Sequence, residues 1–136
     1  MGSTPTFGTQ LMLARYQIVR GKRPPGNPLP EGRRIDTRKH TRHFLRPEAA
    51  QVDAFIADPS AQGFARFAKE YRATIEQRFA RDRRPFDELA ALAKDEDVFL
   101  GCNCPTRWNP DAKHCHTTVA LAFMRRKYPK LEIEMP

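Results

Sequence analysis

The chain has only three cysteines, Cys102, Cys104 and Cys115, crowded into one short stretch. A secreted disulfide scaffold would spread an even number over its length, so a disulfide framework is excluded. No stretch approaches the ~18 consecutive apolar residues of a membrane-spanning helix. The first twenty residues also lack the apolar block of a secretory signal. There is one tryptophan, Trp108, and no internal repeat. These absences point to a cytoplasmic protein without a membrane partner, with thiols either free or bound to metal.

What is present is globular. Of 136 residues, 40% are hydrophobic, 29% charged and 10% aromatic, which argues against wholesale disorder. One domain of this length buries roughly two thirds of the surface its unfolded chain exposes. The expected organisation is a flexible N-terminus over 1–9, then a single α/β domain over 10–136 containing a basic, proline-rich loop at 20–46.

The net charge of +8 is unevenly placed. Residues 1–46 hold ten basic residues against Glu31 and Asp36, whereas residues 47–136 hold 14 of each sign. Such a stretch can draw phosphates and release counterions, as nucleic-acid binders do. It can equally be a solvated loop kept soluble by charge. Arg34, Arg38 and His40 are its candidate ligand contacts.

Hydrophobic spacing supplies the elements. Residues 11–19, LMLARYQIV, favour a strand, and the prolines of 20–32 break regular structure. A short strand is expected around 34–38. A first helix, stopping before Pro59, turns Val52, Phe55 and Ile56 to one side. Ser60 suits the cap of a second helix, whose stripe of Phe64, Phe67, Tyr71 and Ile75 reads as core rather than as a base-stacking platform. Pro85 opens a third helix with Phe86, Leu89 and Leu92 inward. A central strand over 97–102, a helix over 117–128 and a final strand in LEIEM complete an α/β layered domain. Its sheet is expected to be mixed or mostly parallel, with flanking helices.

On this map CNCPTRWNPDAKHCH, residues 102–116, joins the end of a buried strand to the start of a helix. Ligands bind at such places in open α/β sheets, where strand ends leave a crevice and the helix start offers free amides. Cys115, flanked by His114 and His116, has the setting of an activated thiolate. The candidate catalytic group is Cys115, His116 and Cys102, with Arg107 and Asn109 as candidate substrate contacts. Four residues separate Cys102 from Arg107, and two separate Cys104 from Arg107. Neither spacing fits a thiol-phosphatase loop, and Pro105 removes an amide that loop would use. Zinc is the alternative, on Cys102, Cys104, Cys115 and either His114 or His116. A single C-x-C in place of paired knuckles disfavours it. Buried structural thiols are the third reading.

FARFAKEYRATI, FDELAALAK, VFLGCNCPT and HCHTTVALAFM together resemble the small prokaryotic proteins of the domain of unknown function 488 family, over roughly residues 11–134. The resemblance implies an α/β domain whose cysteine-bearing loop, here Cys102, Cys104, Cys115 and His116, lines a candidate site. It implies no defined reaction. Two departures are Thr117, where an arginine often follows the histidine, and the long basic loop before residue 33. The reading that follows is a thiol-dependent enzyme acting on a nucleotide-like or nucleic-acid substrate. The alternative is a non-catalytic, zinc-stabilised module that binds nucleic acid.

Overall fold

The computed structural model describes residues 11–136; the lead-in expected over 1–9 lies outside them. Three strands, β1 (Leu13–Gln17), β2 (Arg33–Asp36) and β3 (Val98–Cys102), form one sheet in the order β1-β3-β2. Both pairings are parallel, with Leu13 and Arg33 each opposite Val98. The last strand, VFLGC, is central and buried except at Cys102. That explains its uninterrupted apolar run, since a central strand of a parallel sheet is covered on both faces.

Among the described residues four helices accompany the sheet: α1 (Ala49–Ala57), α2 (Ala61–Arg81), α3 (Arg84–Asp95) and α4 (His116–Lys127). Their starts follow from local chemistry. A capping box pairs Glu48 with Gln51 at α1, Ser60 Oγ accepts the Gly63 amide at α2, and Pro85 occupies the first turn of α3. Helix α4 packs on β1 and β3, α2 packs on α4, and α1 packs on α2. Tyr71, Phe86 and Phe123 are fully buried between them. Each such side chain stabilises the fold by roughly 1.5–3 kcal/mol through apolar burial. No helix among the described residues is long and apolar enough to cross a membrane.

Two expectations need correction. LEIEM makes a single parallel bridge, Leu13 with Ile133, instead of a strand. Leu13 donates to the Glu132 carbonyl and accepts from the Glu134 amide, while Pro129 and Pro136 restrict the segment at both ends. Ile56 does not join Phe55 in the core; it stays 47% exposed and lines a cleft.

The proline-rich loop is held by its own polar groups. Arg23 donates to the carbonyls of Gln17 and Asn27 and to Asn27 Oδ1, while the Asn27 amide donates to Gln17 Oε1. Gly32 closes it with φ of +128°, and a Cβ there would lie 2.7 Å from the Asp97 carbonyl oxygen. Only glycine fits that approach.

Candidate functional site

The carboxyl ends of all three strands converge on the loop from β3 to α4. Strand β2 runs into Thr37 and Arg38, β1 into Ile18, and β3 into Cys102. Asn109 is the pin of the 103–115 loop. Its side-chain amide donates to the His114 carbonyl at 2.6 Å and to Cys104 Sγ at 3.2 Å, and its backbone pairs with Thr106. The Cys104–Pro105 peptide is cis.

Among the described residues four polar side chains are buried: Thr37, Asn109, His116 and Thr117. All four surround the cysteines. Polar burial costs free energy unless each group is partnered, and among the described residues every buried side-chain nitrogen and oxygen has a partner. The hydrogen-bond pattern also assigns protons. Thr37 has one hydroxyl hydrogen, directed to the Gly101 carbonyl at 3.0 Å, so its oxygen accepts from His116 Nε2 at 2.9 Å. The other ring nitrogen, Nδ1, then faces Cys115 Sγ at 4.0 Å.

Cys115 caps α4 and is only 2% exposed. Thr117 Oγ1 donates to its sulfur at 3.1 Å, while accepting from Arg15 Nε at 2.9 Å. A guanidinium, a helix start and an imidazole thus all favour negative charge on this sulfur. Burial raises the Cys115 pKa, but hydrogen bonds from Cys102, Cys104 and His116 outweigh it and hold it well below the ordinary thiol value. Burial lowers His116, but its hydrogen bonds to Cys102 and Cys115 prevail and raise it to about 10. Cys102 is pushed up by its hydrogen bonds to Cys104 and Cys115 and by burial, and so stays protonated. Cys104 is lowered by Cys102, but Cys115 and burial bring it to about 11. Of the three thiols, Cys115 is the one whose surroundings favour the thiolate.

The sulfurs of Cys102 and Cys115 and a ring nitrogen of His116 lie within 4.8 Å of one another. Three of the four metal ligands considered from sequence are therefore together. Cys104 is not within that distance of all three, although it hydrogen-bonds to both Cys102 and Cys115 and accepts from Asn109. His114 stacks on Phe64 with centroids 4.7 Å apart, so His116 is the histidine at the cluster. The donor set of two thiols and an imidazole is of the kind that would hold zinc.

That cleft, about 240 Å3, has the cysteines and His116 at its floor, Phe55 and Ile56 on one wall, and Arg38, Lys39 and His40 at its rim. Arg38 is held by a bidentate pair with Asp36, Nη2 to Oδ2 at 2.7 Å. Lys39 pairs with Asp53 at 3.1 Å. Trp108, 40% exposed, rests on Phe55 with ring centroids 5.5 Å apart. Asn109 lines the cleft too. Arg34 and Arg107 are exposed and do not line it; Arg34 donates to the Pro30 carbonyl.

Thr37 and Arg15 belong to the site without a mark in the sequence, and Phe55, read there only as the inner face of the first helix, lines the cleft. Thr37 reaches His116 from 79 residues away and Arg15 reaches Thr117 from 102, and only strand register brings them there. No family model, no curated protein and no solved structure matches the chain.

Proposed function

We propose that the protein is a thiol-dependent enzyme acting on a nucleotide-like or nucleic-acid substrate, with Cys115 as nucleophile. The observation that carries this reading is the buried relay from Thr37 through His116 to Cys115 at the floor of a cleft with a basic rim. It has the logic of a nucleophile, its acid–base partner and a group that orients that partner. Cys115 Sγ forms a bond to an electrophilic centre of the substrate while the bond to the leaving group breaks, and His116 Nδ1 gives its proton to the leaving group. Water then releases the adduct, with the neutral imidazole taking its proton. Arg38 and Lys39 supply charge for phosphate, His40 a ring nitrogen for a hydrogen bond, and Trp108 a surface for a planar base. The resemblance through Cys102, Cys104, Cys115 and His116 favours the same loop.

A zinc-stabilised nucleic-acid-binding module is the second reading, favoured by the grouping of the Cys102, Cys115 and His116 donors within 4.8 Å. Metal content of protein purified without chelator, together with mass mapping of limited alkylation, separates the two. The thiol reading expects metal-free protein whose Cys115 reacts well ahead of Cys104. One zinc per chain with Cys102 and Cys115 protected would replace it by the second reading. Equal, ordinary reactivity at all three thiols would sink it.

A further inference from the structure

A second cleft of about 660 Å3 adjoins the first and shares Arg38, Asn103, Thr106 and Trp108 with it. It continues along the end of β1 past Ile18 to Arg20. Its shared wall is firmly built. Asn103 donates to the Ile18 carbonyl at 3.1 Å and accepts from Arg38 at 3.3 Å, while Gln17 donates to the Pro105 carbonyl at 2.7 Å. The boundary between the clefts is thus a fixed ridge carrying one guanidinium and one half-exposed indole. Among the described residues no carboxylate lines either cleft; Asp36 pairs with Arg38 and orients it. The charge excess of the first 46 residues runs on past the outer cleft through Arg20 and Lys22.

We infer that the two clefts are one groove for a single-stranded nucleic acid. One base stacks on Trp108 at the ridge, a phosphate meets Arg38, and the strand leaves toward Arg20. The adjoining nucleotide then enters the inner cleft above the cysteines. A groove that tracks the backbone with positive charge and offers an aromatic face to a base is the physical pattern of single-strand binding. A duplex keeps its bases stacked inside and cannot offer a face to Trp108 at a ridge between two concavities. A mononucleotide would leave the larger cleft and Arg20 unused. The inference rests on the cleft as substrate site and holds for either reading of the cysteines. It narrows the substrate class to a strand of at least two nucleotides.

The test uses the full chain, whose only tryptophan is Trp108, so intrinsic fluorescence reports the ridge directly. Thymidine monophosphate, a dinucleotide cofactor such as NAD, single-stranded oligonucleotides of two to eight nucleotides and a short duplex are titrated at several salt concentrations. The expected result is quenching by single strands, with affinity rising with length and falling with salt by about 0.7 log units per decade for each phosphate contact. The charge reversal R20E, at an exposed position, should remove about one such contact. W108A should weaken binding of a labelled oligonucleotide, followed by anisotropy, by roughly tenfold or more, and W108F should recover much of it.

Equal affinity for the mononucleotide, the dinucleotide cofactor or the duplex would overturn the inference. So would a length dependence unchanged in both R20E and W108A. Alkylation of Cys115 is a separate readout. A reactive Cys115 without strand binding defeats the groove alone, and strand binding with unreactive thiols defeats the thiol reading alone.

Discussion

The aromatic cluster between α2, α3 and α4 and the floor of the inner cleft are both largely buried, but they are filled in opposite ways. In the interior, Phe79, Phe86 and Phe123 meet with ring centroids 5.1–5.6 Å apart. Their contacts are apolar and non-directional. At the cleft floor, Thr37, His116, Cys115 and Thr117 are joined by hydrogen bonds in which every proton has an assigned direction. A stable domain does not require such a network, because apolar groups of the same shape would fill the space at no desolvation cost. The interior is therefore organised for stability and the floor for a particular arrangement of charge.

If that contrast holds, damage to the two regions should separate stability from thiol chemistry. F123A removes a ring that packs on Phe79 and Phe86, and should lower unfolding free energy by about 3–5 kcal/mol in urea titrations. The order in which the native thiols are alkylated should not change. An altered order would mean that the two regions are mechanically one.

Thr37→Val keeps the shape of a fully buried side chain while removing its hydroxyl. Its cost should be smaller, about 1–3 kcal/mol, for the buried His116 Nε2 left without a partner, since the Gly101 carbonyl keeps the Thr37 backbone amide. Its effect on the cleft should be larger than that of F123A. Without an acceptor for Nε2–H the imidazole loses its orientation, and Cys115 alkylation should slow. Thr37→Ser, which keeps the hydroxyl, should restore the rate. A Thr37→Val protein as reactive as the parent would make Thr37 structural only.

The same contrast explains what could be read from sequence. Interior elements announce themselves by spacing: Phe67, Tyr71 and Ile75 recur at helical intervals and are buried, and VFLG occupies the centre of the sheet. The loop from β3 to α4 was legible as chemical ground because a strand end, a helix start and three cysteines coincide. Partners that depend on register were not legible. Thr37 enters the site because β2 lies parallel to β3 and ends one residue before it, and no local pattern encodes that. LEIEM alternates like a strand, yet between two prolines it reaches β1 at one bridge only. Ile56 follows the apolar pattern of α1, but the helix turns it to the cleft, where a ligand and not the core would cover it.

His43 lies between the two regions, stacked on Phe44, and its Nδ1 accepts the Leu45 amide. Burial, reinforced by His116 and opposed by Asp36, lowers its pKa from 6.5 to about 4. The folded state keeps this ring neutral where the unfolded chain protonates it. Its contribution is therefore fully present above pH 6.5, is lost as pH falls from there, and levels off below about 4. The slope can reach ~1.4 kcal/mol per pH unit. His43→Asn retains an acceptor for the Leu45 amide, so subtracting its stability profile from the parent's between pH 4 and 7 isolates the ring. A flat difference would mean that water reaches His43 in the folded protein.

The smallest effect should come from the charges that do not line the groove. Arg34 and Arg107 are exposed, and Arg34 is engaged with the Pro30 carbonyl. The double substitution R34A/R107A should change stability by less than about 0.5 kcal/mol. At physiological salt, where exposed charges act over only ~8 Å, it should change single-strand affinity by less than about twofold. R20E removes one positive charge and adds one negative, so its net charge change equals that of the double substitution. If recognition were only attraction to a basic chain, the two proteins would lose the same affinity. If charge acts through the groove, R20E loses far more, and the unequal outcome at equal net charge locates binding at the ridge and outer cleft.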